Sequence, residues 1–226
     1  DVDRYPLYEK KEVSEDMVNE VLTFFRHNVR ENRPVAELVA ADYSFVNADL
    51  AKVYGLVGVP DDSVFRKHTF KHGRRGGFIG MGAFLTLTAD TLSTSPIHRA
   101  VYVMENFMGI HPVPPPANVE ITEPDIRSAR TIREVLQAHR SDASCAACHQ
   151  NIDPFGYAFE NFDPIGAWRD DYIDVSQPVG KDGDFETGAK PNKKRGVTTI
   201  PIDASASLHS GATHTDITKF PKLMRD

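Results

Sequence analysis

Cys145-Ala146-Ala147-Cys148-His149 is the stretch of this sequence that most constrains its fold. It has the form C-x-x-C-H, and its two cysteines are the whole cysteine content of the 226-residue chain. A framework of several disulfides is therefore excluded. Three uses of such a pair stay open, which are the attachment of a haem, a redox dithiol, and half of a metal site.

The spacing of the motif favours haem attachment. Two thiols three residues apart on a helical turn can both reach the vinyl groups at one edge of a porphyrin, and the following histidine is then directed at the iron. A zinc site needs four ligands, and only His149 and distant histidines are available to join the cysteines. A thioredoxin-like dithiol follows a strand, whereas a helix is expected here. We therefore predict one covalent haem c, attached through Cys145 and Cys148, with His149 as proximal ligand.

The sequence on both sides of the motif supports a helical, apolar haem environment. A helix is predicted from Pro124 to His139, capped by Thr122 and leading directly into the motif. Downstream, 153–156 and 163–166 both read Asp-Pro-x-Gly, which is typical of turns. The aromatic residues that follow suit dry packing against a haem face; they are Phe155, Tyr157, Phe159, Phe162 and Trp168.

Two further groups of residues are candidates for the haem pocket. Trp168 and Arg169 carry N–H groups that suit haem propionates, although a core tryptophan and a surface arginine are equally consistent with the sequence. For the distal iron position, His139 is the favoured candidate because it is close in sequence to the motif. The alternatives are His72 and Met81 from the glycine-rich region, Met104 and Met108 from the helix that begins at Pro96, or an open position.

The rest of the chain is predicted to be mainly helical. Ser14 is a candidate cap for a first helix with an apolar stripe, and Pro96 begins a helix that ends near Met108. The glycine-rich run 71–77 matches no phosphate-binding loop and indicates a turn in which backbones approach closely. The apolar stripe of the first helix is predicted to consist of Met17, Val18, Val21, Leu22 and Phe25. Short helices are predicted over 34–40 and over 48–54, the second with Asn47 before it and Gly55 after it. A stiff connection is predicted over 112–116 and a strand over 197–202.

These elements predict a mainly α protein with a helical c-type cytochrome domain. We divide it into a helical N-terminal segment over 1–58, a mono-haem cytochrome c-like domain over 59–169, and a polar insertion with a small β-containing C-terminal segment over 170–226. The polar start Asp1-Val2-Asp3-Arg4 indicates a processed or interior beginning, so the lack of a visible signal peptide does not indicate a cytoplasmic protein.

Composition limits the classes of partner. The chain carries 26 basic and 32 acidic residues, a net charge of -6, with an isoelectric point of about 5.8. This balance argues against broad nucleic-acid binding, and the one basic run, 190–195, is typical of a solvated loop. No stretch of the sequence is long and apolar enough to cross a bilayer.

Several motifs in order resemble a known family. They are Ala41-Asp42-Tyr43-Ser44-Phe45-Val46-Asn47, Arg75-Gly76-Gly77-Phe78, Thr94-Ser95-Pro96-Ile97-His98-Arg99, Pro114-Pro115-Pro116, His139-Arg140, the cysteine motif, the run from Ile152 to Asp163, and Ile202-Asp203-Ala204-Ser205. Together they are similar to the planctomycete cytochrome c domain proteins, large secreted proteins of planctomycetes and related bacteria. Full members extend beyond both ends of this chain.

The resemblance implies an exported protein, periplasmic or extracellular, with haem c on Cys145, Cys148 and His149. It also implies a role for His139 as distal ligand or as a hydrogen-bonding residue of the pocket. We expect electron transfer with redox partner proteins, within a larger assembly. The alternatives are a peroxidase-like haem enzyme with an open distal position, and a structural subunit stabilised by haem. An electron carrier is favoured over an enzyme.

Overall fold

Helices are the main regular structure of the computed structural model, which describes residues 5–8, 11–90, 93–113, 131–173 and 199–220. A short 3-10 turn, Phe78–Gly80, precedes the fourth helix. The helices are α1 (Lys11–Arg30), α2 (Glu37–Ala40), α3 (Ala48–Tyr54), α4 (Gly82–Leu87), α5 (Pro96–Phe107), α6 (Ile132–His139) and α7 (Ala143–Tyr157).

The strands in the described residues are short and pair as three antiparallel two-stranded sheets. Helix predominates over strand, and the C-terminal part contains strands, as predicted, whereas the first sheet was not predicted. A cytochrome c-like fold stays a prediction. The strands are β1 (Tyr43–Val46), β2 (Arg66–Thr69), β3 (Asp171–Ile173), β4 (Thr199–Pro201), β5 (Ala206–Ser207) and β6 (Thr213–His214), paired in that order.

The first helix differs from its prediction in two respects. It begins at Lys11, so Ser14 lies inside the helix and is not its cap. Of the predicted stripe, Met17 is buried, but the side chains of Val18, Leu22 and Phe25 are exposed. The sequence offers two apolar stripes about 100° apart around the helix axis. Packing against β1 and α3 buries the stripe of Val13, Met17 and Phe24, together with the side chain of Glu20 on the same face.

The predicted ends of α3, at Asn47 and Gly55, are confirmed. The side chain of Asn47 accepts a hydrogen bond from the backbone N–H of Leu50 at 3.1 Å and caps the helix. Gly55 ends the helix in a left-handed conformation, with φ of 65°. The glycine-rich turn is also confirmed as a point of close approach, because a Cβ on Gly76 would lie 2.1 Å from the carbonyl oxygen of Ala41.

The pairing of α5 with α7 is the most extensive helix contact among the described residues. Helix α5 begins at Pro96 as predicted. A Cβ added to Gly156 would lie 2.1 Å from the carbonyl oxygen of Pro96, so glycine allows the two helices to touch. From α5, the fully buried Arg99 donates hydrogen bonds to the carbonyls of Phe159 and Phe162 just beyond α7.

Only one of the two predicted Asp-Pro turns is a turn. Helix α7 continues through Asp153 and Pro154 to Tyr157, so the prediction of a turn there was wrong. Proline inside a helix costs about 3 kcal/mol, and the extensive packing of α7 on α5 offsets this cost. At the second site, Asp163 accepts hydrogen bonds from the backbone N–H groups of Ile165 and Ala167, as a turn requires.

The N-terminal helices and the residues after the motif share buried clusters. Met17 of α1 packs in one cluster with Ile165, which follows the motif, and α1 contacts α4. The domain boundaries at 58/59 and 169/170 stay predictions. Helix α6 begins at Ile132 and is capped by Thr131, not by Thr122 as predicted. Residues 114–116, the predicted helix start at 122–124, most of 170–195 and the run 190–195 lie outside the described residues. Among those described, no helix is long and apolar enough to span a membrane.

Candidate haem site

The cysteine motif occupies the first two turns of α7. The side chain of Asp142 accepts a hydrogen bond from the backbone N–H of Ser144 at 2.7 Å and so caps the helix just before the motif. Cys145, Cys148 and His149 are three and four residues apart, which places them on one face of the helix. Both thiols are unbridged and half-buried. They are therefore accessible to a group that reacts from this face.

An apolar surface lies beside the second thiol. Cys148 packs against a cluster that includes the buried residues Ala100, Met104 and Ile152. Ile97 and Val101 of α5 border the same cluster and are only partly buried. Such a surface supplies apolar contacts of the kind that a porphyrin ring needs. Of the downstream aromatic residues expected to form it, only Phe155 borders this cluster, whereas Phe159 and Phe162 are fully buried in another cluster.

His149 is oriented by a buried carboxylate one helical turn later. Its Nδ1 atom lies 2.8 Å from Oδ1 of Asp153, which is fully buried. Because a carboxylate accepts hydrogen bonds, Nδ1 carries the ring proton, and the lone pair is on Nε2. The second oxygen, Oδ2, is buried without a hydrogen-bond partner and lies 3.8 Å from the guanidinium of Arg140. A metal-ligating histidine is typically held in this way by a carboxylate.

The ring of His139 is the neighbour of the His149 ring. The two centroids are 4.7 Å apart and the rings meet edge to face. Two imidazoles on opposite sides of one metal ion, with bonds of about 2 Å, have centroids roughly 6 Å apart. Ligation of one iron by both histidines thus requires the rings to separate, whereas a role beside the ligand does not. The prediction of His139 as distal ligand is untested, and the contact of the two rings favours its other predicted role, as a pocket residue beside the ligand.

The donor set fits a haem better than a metal held by protein alone. Across the described ranges, no three His, Cys, Asp or Glu side chains are grouped closely enough to hold a metal ion. A structural zinc ion would need four such ligands. A haem brings four nitrogens of its own, so the protein needs to supply only one or two axial ligands and the attachment points. Nε2 of His149 and the two thiols match that requirement.

The structure gives Trp168 and Arg169 partners of their own. The indole Nε1 of Trp168 donates a hydrogen bond to Asp170 at 2.9 Å, and its ring packs at right angles to that of Phe162. The guanidinium of Arg169 donates to the carbonyl oxygen of Glu160 at 3.2 Å. These contacts are to residues outside the motif. Binding of haem propionates by Trp168 and Arg169 stays a prediction.

The other distal candidates lie in different surroundings. Met81 is buried in a cluster with Phe24 and Tyr43, near α1 and β1. His72 is exposed in the loop before the glycine turn. Met104 is the methionine that shares a cluster with Cys148.

Several residues of the site were missed by the sequence analysis. Asp153 was read as a turn residue, although its position four residues after His149 could have indicated a partner of that ring. His214, in β6, donates from Nε2 to the carbonyl of Pro154 at 2.8 Å, and burial lowers the pKa of its imidazole. Arg133 of α6 donates to the carbonyl of Ser205 and covers the ring of Tyr157. No local pattern in the sequence indicates the last two contacts.

Comparison with known families gives two matches to different parts of the chain. A family described as PSCyt3, protein of unknown function (DUF1588), matches residues 75–172 and thus contains the motif. A second, described as PSD4, protein of unknown function (DUF1592), matches residues 1–56. Neither description names an activity, and both matches are consistent with the resemblance noted above. No curated protein and no solved structure matches the chain.

Proposed function

We propose that this chain carries one covalent haem c and transfers electrons as a segment or subunit of a larger redox assembly. Cys145 and Cys148 form the thioether bonds, and His149 is an axial ligand of the iron. The match of the PSCyt3 family to residues 75–172, which contain the motif, supports this proposal together with the resemblance of the sequence to planctomycete cytochrome c domain proteins.

One observation carries the proposal. The histidine of a C-x-x-C-H motif has its Nδ1 engaged by a buried carboxylate at 2.8 Å, and this leaves Nε2 as the donor atom. A histidine with no metal to bind gains little from a preset tautomer, whereas an axial ligand requires one. The two half-buried thiols on the same helix face complete the attachment points.

The chain's contribution is ligation, orientation and burial. When bound, the haem supplies one-electron chemistry by cycling between ferric and ferrous iron. His149 holds the axial position, and Asp153 fixes its ring. The partly buried side chains of Ile97 and Val101 keep water from one edge of the site.

The cellular setting is also part of the proposal. Haem c and the family resemblance support a periplasmic or extracellular protein. The net charge of -6 favours redox partners with a basic docking face. Such attraction between exposed charges weakens as ionic strength rises.

The test is expression with a haem c maturation system, followed by intact mass and a pyridine haemochrome spectrum. We expect the mass of one added haem and the haemochrome spectrum of a haem attached by two thioether bonds. Cys145→Ala should give a single-thioether spectrum or no holoprotein, while Ser144→Ala, the neighbouring control, should mature normally. A folded, matured chain without added haem mass would disprove the proposal.

Redox measurements then separate a carrier from the alternatives. An electron carrier is expected to be reduced and reoxidised reversibly at an electrode without turnover of peroxide. Sustained peroxide turnover would instead support the peroxidase-like alternative. A haem that cannot be reduced would leave a structural role for the group.

A further inference from the structure

The carboxylate next to His149 has features that the attachment of a haem does not require. Asp153 has no exposed surface and lies in α7, four residues after His149, with Oδ1 2.8 Å from Nδ1 of the ring. A backbone carbonyl would be sufficient to fix the ring tautomer. A buried carboxylate brings a negative charge in addition, and burying a charge is costly unless it interacts with another group.

The two closest groups to this charge are the Nδ1–H of His149 and the guanidinium of Arg140, 3.8 Å from Oδ2. The hydroxyl of Tyr157 also lies within electrostatic reach, since burial and the charge of Asp153 together raise the pKa of Tyr157. The Arg140 contact is too long for a hydrogen bond, and Oδ2 is otherwise unpartnered. The hydrogen bond from the His149 ring is therefore the closest interaction of the Asp153 carboxylate.

The geometry points to Asp153 as a positioning residue that strengthens electron donation from His149 and thereby lowers the reduction potential of the haem. This inference rests on the proposed haem attachment. A carboxylate that accepts the Nδ1–H bond makes the ring more basic at Nε2. A more basic ligand stabilises ferric iron, which carries one more positive charge, relative to ferrous iron. Arg140 opposes this effect because it draws charge from the same carboxylate.

Two substitutions test the inference in opposite directions on the matured holoprotein. Asp153→Asn keeps the shape of the side chain but removes its negative charge. We expect its ferric–ferrous equilibrium to shift about tenfold toward ferrous iron, which is a rise of about 59 mV for one electron. Arg140→Gln removes the opposing cation and should lower the potential. The control Asp163→Asn makes the same change in the second Asp-Pro pair, where the side chain accepts backbone hydrogen bonds in a turn, and should leave the potential within about twofold in the equilibrium constant.

A second readout separates the hydrogen bond from a general effect of charge. In holoprotein with ¹⁵N-labelled histidine, the Nδ1 proton of His149 should exchange slowly with solvent. In Asp153→Asn this proton should shift and exchange faster, while Asp163→Asn should not change it. A fast-exchanging proton in the unsubstituted holoprotein would overturn the inference even where Asp153→Asn fails to mature.

The outcomes for the two proposals are distinct. Absence of covalent haem from the unsubstituted chain contradicts the proposed function. Covalent haem with an unchanged reduction potential in Asp153→Asn, or with an equal rise of the potential in Asp163→Asn, contradicts only the inferred role of Asp153 and leaves the proposed function intact.

Discussion

The imidazole rings of His139 and His149 meet edge to face, with their centroids 4.7 Å apart. His139 is the last residue of α6, and His149 lies in the second turn of α7. The short connection between these helices therefore brings the two histidines together. The contact places His139 beside the proposed axial ligand, where it can pack against the ring without binding the iron.

We expect His139→Ala to keep both the covalent haem and the axial-ligand absorption bands of the unsubstituted protein. The reason is that the rings touch with too little space for an iron between them. Optical and electron paramagnetic resonance spectra of both oxidation states measure this directly. A change from low-spin to high-spin iron on His139→Ala would instead identify His139 as the distal ligand. It would also show that the rings separate when haem binds.

Gly156→Ala should destabilise the pairing of α5 with α7. The new Cβ would lie 2.1 Å from the carbonyl oxygen of Pro96, so one helix must move. Overpacking of this kind costs about 1–3 kcal/mol of unfolding free energy, and we expect the upper end because the obstacle is backbone. Denaturant unfolding measures the loss. Gly80→Ala is the control, because its Cβ would meet Arg75 at 3.4 Å, and it should change stability little.

Arg99→Met should be among the most destabilising single substitutions in the described chain. Arg99 is fully buried, and its guanidinium donates to the carbonyls of Phe159, Phe162, Asp163 and Leu85. Methionine fills a similar space but leaves these acceptors unpaired, at a cost of about 3–5 kcal/mol. The exposed Arg26→Met is the matched control and should stay within about 0.5 kcal/mol. Equal stability of the two variants would contradict this account.

The stability of the chain should depend on pH through Glu20. Burial raises the pKa of this carboxyl from 4.5 to about 7, although Ser44 and Tyr54 donate hydrogen bonds to it. The folded state therefore binds the proton more tightly than the unfolded state. The contribution is fully present below pH 4.5 and is lost as pH rises toward 7. Its size is up to about 3 kcal/mol.

Glu20→Gln removes this titration and serves as the comparison. Unfolding free energies measured at pH 5 and pH 7 should fall with rising pH in the unsubstituted protein. They should fall less in Glu20→Gln, because the amide stays neutral at both values. A pH dependence that is the same in both proteins would show that Glu20 is not the group responsible.

Several helix ends could be predicted from the sequence because the signals that mark them are local. Asn47 and Gly55 mark the ends of α3, and Pro96 marks the start of α5, since each residue acts on backbone within one turn of itself. The interruption expected at Pro154 did not occur. The tendency of proline to interrupt a helix is also local, but here the packing of α7 on α5 outweighs it. This packing depends on residues of α5, so it cannot be predicted from the sequence of α7.

The sequence by itself determined that two thiols and an imidazole lie on one helix face, because the spacing of Cys145, Cys148 and His149 is fixed within one helix. It could not determine which of two apolar stripes of α1 is buried, because both have helical period and only the contact with β1 and α3 distinguishes them. Tertiary structure also decided the surroundings of His149. Asp153 faces the ring because α7 stays helical through Pro154, and His139 reaches it because α6 packs on α7.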